Sequence, residues 1–156
     1  MDASQIISHY RLEPLPLEGG YFRRFYTHAG GRRIASAIYY LITREQFSAM
    51  HRLPSDELFH FYEGHAVEML QLSPDGTGRL VRLGSDIGTG HERVGLVPGG
   101  NWQGMRLADG APAGAFALFG VSVHPEFRYE EFELGDREVL GKRYPDWANE
   151  IQCLTR

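Results

Sequence analysis

A chain of 156 residues with one cysteine, Cys153, has no means of building an internal disulfide framework, and a lone thiol suits a reducing compartment. The expected address is the cytoplasm. Positive charge is also scarce, with 16 Lys plus Arg against 20 Asp plus Glu and a formal net charge of -4, so no basic field exists to hold nucleic acid or anionic lipid. No nucleic acid and no membrane are expected as partners. No segment approaches the roughly 20 apolar residues of a spanning helix, and no Lys or Arg block leads a hydrophobic run near the start. Long helical periodicities are missing too, because 19 Gly and 8 Pro are spread between short apolar runs. That distribution belongs to a chain of many turns and short strands. At roughly 150 residues folding buries about two-thirds of the unfolded surface, enough for one good core. No repeat, low-complexity tract or linker divides the sequence, so residues 1–156 are expected to form a single all-β domain.

Ile6, Ile7 and Tyr10 fall at helical spacing behind Asp2 and Ser4 as caps, and Pro14 and Pro16 forbid continuation, which predicts a short helix near residues 4–12. Tyr21 to Tyr26 and Ile34 to Ile42 then read as a hairpin about Ala29-Gly30-Gly31. Further strands are expected at Phe47 to Leu53, Glu57 to Tyr62, Val67 to Leu72, Arg79 to Leu83, Arg93 to Val97, Gln103 to Leu107 and Ala115 to Val123. Many short strands separated by Gly-rich connections favour a jelly roll. Beyond Asp136, a capping residue, Val139 and Leu140 suit a helix, and Trp147, Ile151 and Leu154 suit a last helical turn or two.

His51 and Glu57 stand on two expected strands joined by the turn Pro54-Ser55-Asp56. Alternation places Phe47, Ala49, His51 and Leu53 on one face of the first strand, and Glu57, Phe59 and Phe61 on one face of the second. With those faces inward, a His and a carboxylate meet among aromatics, and the buried carboxylate needs a His, an amide such as Gln103, or a metal as partner. A structural ion pair tying two strands is the plainer alternative. His60 has the wrong parity to share Glu57's face, and His124 suits either the barrel mouth or a surface turn. Trp102 and Phe127 serve as pocket walls or as core. Tyr21, Tyr39 and Arg23 could offer a phenol or guanidinium to an anionic ligand, or simply pack.

The run from His51 to Glu57, closed by Gly64, has the spacing of the first cupin motif, in which two His two apart precede a Glu by four positions and a Gly by eleven. Leu53 stands where the second His belongs, and Glu45 stands six positions before His51, where the motif begins with a Gly. Pro98-Gly99-Gly100 resembles the turn of the second cupin motif, with Gln103 in place of its His. The blocks Glu18 to Arg23, Ser36 to Leu41, Phe47 to Arg52, Ser55 to Phe61, Val97 to Gln103 and Phe119 to Phe127 are similar to those of the cupin family DUF985, across nearly the whole chain. Glu126 departs, standing where that family tends to carry Gly. The resemblance implies a double-stranded β-helix, or cupin barrel, with short N- and C-terminal helices, commonly dimeric and without an established reaction.

Three functions compete. The first is a metal-independent isomerase or epimerase of a sugar or organic acid. It would use His51 and Glu57 as acid–base pair and a tyrosine such as Tyr39 to return the proton, with Tyr21, Arg23, Phe59, Trp102, Gln103, His124 and Phe127 around the ligand. The second is a dioxygenase-like metalloenzyme with His51, Glu57 and Gln103 as ligands and His60 as a fourth. The absence of imidazole at positions 53 and 103 removes the borderline donors such metals prefer, so the expectation is no required cofactor, or a weakly bound divalent metal. The third is a pocket that binds a small ligand without catalysis. A homodimer is expected in every case.

Overall fold

The computed structural model describes residues 2–156. Asp2 caps the first helix, α1 (Ala3–Tyr10), through a reciprocal pair: its carboxylate accepts from the Gln5 N–H at 2.9 Å, and Gln5 Oε1 accepts from the Asp2 N–H at 3.0 Å. The chain continues through β1 (Glu13–Pro14), β2 (Tyr21–Thr27), β3 (Ser36–Thr43), β4 (Ser48–Arg52), β5 (Asp56–Gly64) and β6 (Val67–Leu72). Next come β7 (Gly78–Leu83), β8 (Val94–Val97), β9 (Trp102–Leu107), β10 (Phe116–His124), β11 (Glu133–Leu134), α2 (Arg137–Arg143) and α3 (Ala148–Cys153). Asp136 caps α2, accepting from the Val139 N–H at 2.9 Å. β1 and β11, of two residues each, and the 3-10 turns at Ile87–Thr89 and Tyr129–Glu131 add to the expected elements, being too short to show a period.

The strands form two sheets of antiparallel pairs, one of six in the order β1-β2-β3-β10-β5-β8 and one of five in the order β11-β4-β9-β6-β7. This is the expected jelly roll. β4 and β5, consecutive in sequence, belong to opposite sheets, so the turn after Leu53 carries the chain from one wall of the barrel to the other.

Phe59 and Phe61 meet Phe119 edge to face, with Tyr40, Ile42, Met69 and Met105 around them, and this interior packing fills one end of the barrel. Both sheets are also covered from outside. α2 and α3 lay Leu140, Tyr144, Ile151 and Leu154 on Met50, Leu70 and Leu72 of the five-stranded sheet, while Ile6 and Leu12 rest on Leu41 and Leu118 of the other. Among the described residues no helix is long and apolar enough to cross a membrane.

Candidate functional site

The other end of the barrel holds a cavity of about 460 Å³, bounded by the starts of β3 and β5, the ends of β4 and β10, and β2. Its polar floor is set by two backbone irregularities. The first is a bulge in β4, where Ser48 lies opposite Met105 and His51 opposite Gln103, three steps on one strand against two on the other. Ser48 and His51 therefore both face inward and Met50 outward. The bulge corrects the expected parity for Phe47, which packs outside with the C-terminal helices.

His51 is 1% exposed, and its Nδ1 lies 2.8 Å from the Ala49 carbonyl oxygen. A carbonyl only accepts, so Nδ1 carries a proton, and the nitrogen left free for proton exchange is Nε2, which faces the cavity. The ring stacks on Phe132 at 5.3 Å between centroids, which fixes its plane. Across the barrel Glu57, 7% exposed, accepts a hydrogen bond on Oε2 from the Gln103 amide. Burial pushes the Glu57 carboxyl up to about 7; nearby Glu18 adds to the shift, while His51 and the Gln103 bond oppose it.

The second irregularity is the Glu18-Gly19-Gly20 turn, which inserts Glu18 beside these two residues. Gly19 and Gly20 take φ of 99° and 76°, and a Cβ on Gly20 would stand 2.8 Å from Tyr40 Cε2. Glu18 Oε1 accepts from the Ser48 hydroxyl at 2.9 Å, and Oε2 lies 3.9 Å from His51 Nε2, beyond hydrogen-bond reach. The Tyr40 hydroxyl donates to the Gly19 carbonyl at 3.0 Å, and Arg156 donates to those of Leu17 and Glu18 at 3.1 and 2.9 Å. Sequence reading missed Glu18 as a site residue. The signal was a carboxylate directly before two glycines.

The remaining expected site residues divide by position. Phe127 lines the cavity, with its N–H donating to Ser36 Oγ at 3.1 Å. Gln103 reaches it only through Glu57, as a positioning residue, and Phe59 is buried in the packed core beyond it. Tyr21, Arg23 and Tyr39 lie on the outer face of the six-stranded sheet, where Tyr39 stacks on Tyr10 at 4.5 Å and Arg23 sits 5.9 Å from the Tyr39 ring. Their sequence neighbours Phe22, Arg24 and Tyr40 take the inward positions. The outer face attracts aromatics because α1 covers part of it. Trp102 packs outside the five-stranded sheet under Arg52, 4.6 Å from its ring. His124 is exposed at the end of β10, its Nε2 3.0 Å from Ser122 Oγ.

A metal needs convergent donors. His60 pairs with Val94 and Gly120 on the face opposite Glu57, and the Gln103 nitrogen is engaged with Glu57. Among the described residues no group of three or more His, Cys, Asp or Glu is arranged to hold a metal ion. His51 and Glu57 alone do not make the ligand set of a cupin metal centre.

A family model described as cupin superfamily (DUF985) matches residues 4–135. A protein from Shewanella oneidensis, known from its crystal structure, is 32% identical over 100% of this chain and 98% of its own, with a TM-score of 0.89. A hypothetical protein from Leishmania major is 28% identical over 99% of both chains, with a TM-score of 0.90. At 12% identity the fold is shared with Bacillus subtilis oxalate decarboxylase (TM-score 0.60, 92% of this chain and 37% of that one). It is shared also with the Streptomyces nucleoside dehydratase Pac13 (12% identity, TM-score 0.55, 80% of this chain and 84% of that one). No curated protein matches the sequence.

Proposed function

The chain belongs to the DUF985 family of the cupin superfamily, and from that premise we propose that it binds a small polar metabolite, a sugar or an organic acid, in the open end of its barrel and isomerises or epimerises it without a metal. One observation carries the reading: the Ala49 carbonyl holds a His51 proton on Nδ1, so that Nε2 and the Glu57 carboxyl, raised by burial, line one cavity. A base and an acid placed about one cavity are what proton transfer requires, and general acid–base catalysis contributes roughly 100 to 10,000-fold in rate.

In the proposed step, His51 Nε2 takes a proton from a carbon next to a substrate carbonyl, and the C–H electron pair moves through the new C=C bond onto the carbonyl oxygen. Glu57 gives that oxygen its proton, leaving an enediol between an imidazolium and a carboxylate. His51 returns the proton to the neighbouring carbon while the Glu57 carboxylate takes the proton of the other enediol hydroxyl, which isomerises the substrate and restores both groups. Return to the original carbon after the enediol has turned its other face to His51, with Glu57 recovering the proton it gave, epimerises it. Glu18 stabilises the imidazolium by charge at 3.9 Å.

The test is a thermal-shift screen of sugars, nucleotide sugars and small organic acids, followed by incubation of hits in deuterium oxide. Ligands of the wild type should raise its melting temperature and take deuterium at the reacting carbon. Glu57→Gln should keep the fold and lose the exchange. If no compound shifts the wild type and either His51→Gln or Glu57→Gln destabilises it strongly, the pair is structural. Stoichiometric, tightly held metal lost on His51→Ala would overturn the metal-free part.

A further inference from the structure

The charged groups lining the cavity are sorted by depth. His51 and Glu57 are buried at the floor with Glu18 beside them, and the other lining cations, Arg24 and Arg128, are exposed at the rim with Tyr129 and Glu130. Arg24 lies 5.9 Å from the Phe127 ring. Neither rim arginine is committed elsewhere: the ion pairs among the described residues use Arg33, His51, Arg52, Arg82 and Arg106. The neighbouring Glu131 is already held by both Arg33 terminal nitrogens, at 2.9 and 2.6 Å. Of the charged groups lining the rim, two are arginines and one, Glu130, is a carboxylate.

An oxyanion reaching the floor would meet two carboxyl groups and an imidazole whose proton is bound to Ala49. The floor offers such a group no cation, and apart from the one proton of Glu57 it accepts hydrogen bonds, so it suits hydroxyl and carbonyl groups. Between floor and rim the walls are Phe22, Phe127 and Phe132, which suit the flat face of a ring or a short carbon chain.

We propose that the ligand is a hydroxylated ring or short chain with one terminal oxyanion, a carboxylate or a phosphate ester. Its hydroxyl end enters first, onto Glu18 and Glu57, and its oxyanion stays at Arg24 and Arg128. The inference rests on the binding reading above and deepens it, since it assigns the reacting end of the molecule to the floor. A volume of about 460 Å³ accommodates a molecule of this size.

The test uses three probes on the full chain, glucose 6-phosphate, gluconate and glucose, with affinity read by calorimetry for the wild type and for Arg24→Gln combined with Arg128→Gln. Both arginines are exposed, so the double variant should keep the wild-type melting temperature. At least one anionic probe should bind, should weaken with added salt, and should lose about tenfold or more in the double variant, while glucose binds weakly and equally to both. The stronger anion distinguishes carboxylate from phosphate. Failure of both anions to bind at millimolar concentration, glucose binding as well as either, or an unaffected double variant overturns the proposal. Arginine-dependent binding without deuterium exchange keeps this ligand class and removes the reaction. Exchange on a ligand indifferent to the arginines does the reverse.

Discussion

At the scale of single residues, Glu57 binds its proton more tightly in the folded chain than in the unfolded one, because burial disfavours its charged form. Between its ordinary value of 4.5 and its folded value of about 7 the unfolded carboxyl has lost its proton and the folded one has not. Stability should therefore fall as pH rises through that window and level off above it, by up to about 3 kcal/mol. Glu57→Gln should abolish this slope and be the more stable form at pH 8, as urea denaturation at pH 5 and pH 8 would show. Equal slopes in both proteins would place the titrating group elsewhere. Gln103→Leu removes the hydrogen bond that favours the Glu57 anion and leaves Oε2 without its donor. It should lower stability by about 1–3 kcal/mol and move the pH midpoint upward. That His51 and Glu57 face one cavity was legible from strand alternation and motif spacing, whereas Glu18 was not, because contact across 33 positions leaves no local pattern.

At the scale of elements, the turn before β2 and the bulge in β4 decide what the site contains. Gly20→Ala would force a Cβ against Tyr40 and the Leu41 carbonyl at a φ of 76°, so a loss of about 1–3 kcal/mol is expected. Because Glu18 rides on this turn, ligand affinity should fall with it. Full stability in Gly20→Ala by chemical denaturation would show that the turn relaxes freely. Strand positions were readable to within a residue or two for β2 to β10, but their facing was not. In β2 and β3 both faces carry aromatics, since the barrel interior takes Phe22 and Tyr40 while α1 and its neighbours cover Tyr21 and Tyr39. Alternation supplies a period of two and no phase when both sides are apolar.

At the scale of the whole molecule, the outer face of the six-stranded sheet stays partly bare. Phe25, Tyr39 and Tyr62 form a chain of rings at 4.7 and 6.5 Å, and Val94 and Leu96 on edge strand β8 are 43% and 48% exposed. An apolar face ending in an edge strand calls for cover, and we propose a second copy of the chain, burying part of the N-terminal strands. Sedimentation equilibrium at micromolar concentration should give about twice the mass of 17.6 kDa. Tyr62→Glu should shift it toward the single-chain value, and a wild-type monomer would remove the proposal.

By itself the sequence determined the class, the family and the approximate course of the strands, because turn residues, short apolar runs and motif spacing are local properties. It also determined that His51 and Glu57 stand on two successive strands. Which sheet each strand joins, that the Pro54 to Asp56 turn crosses between the walls, and that Glu18 enters the floor while Tyr39 leaves it were decided only in the tertiary structure. Those outcomes depend on what covers each face and on where one bulge shifts the register, and both are settled by packing between segments far apart in the chain.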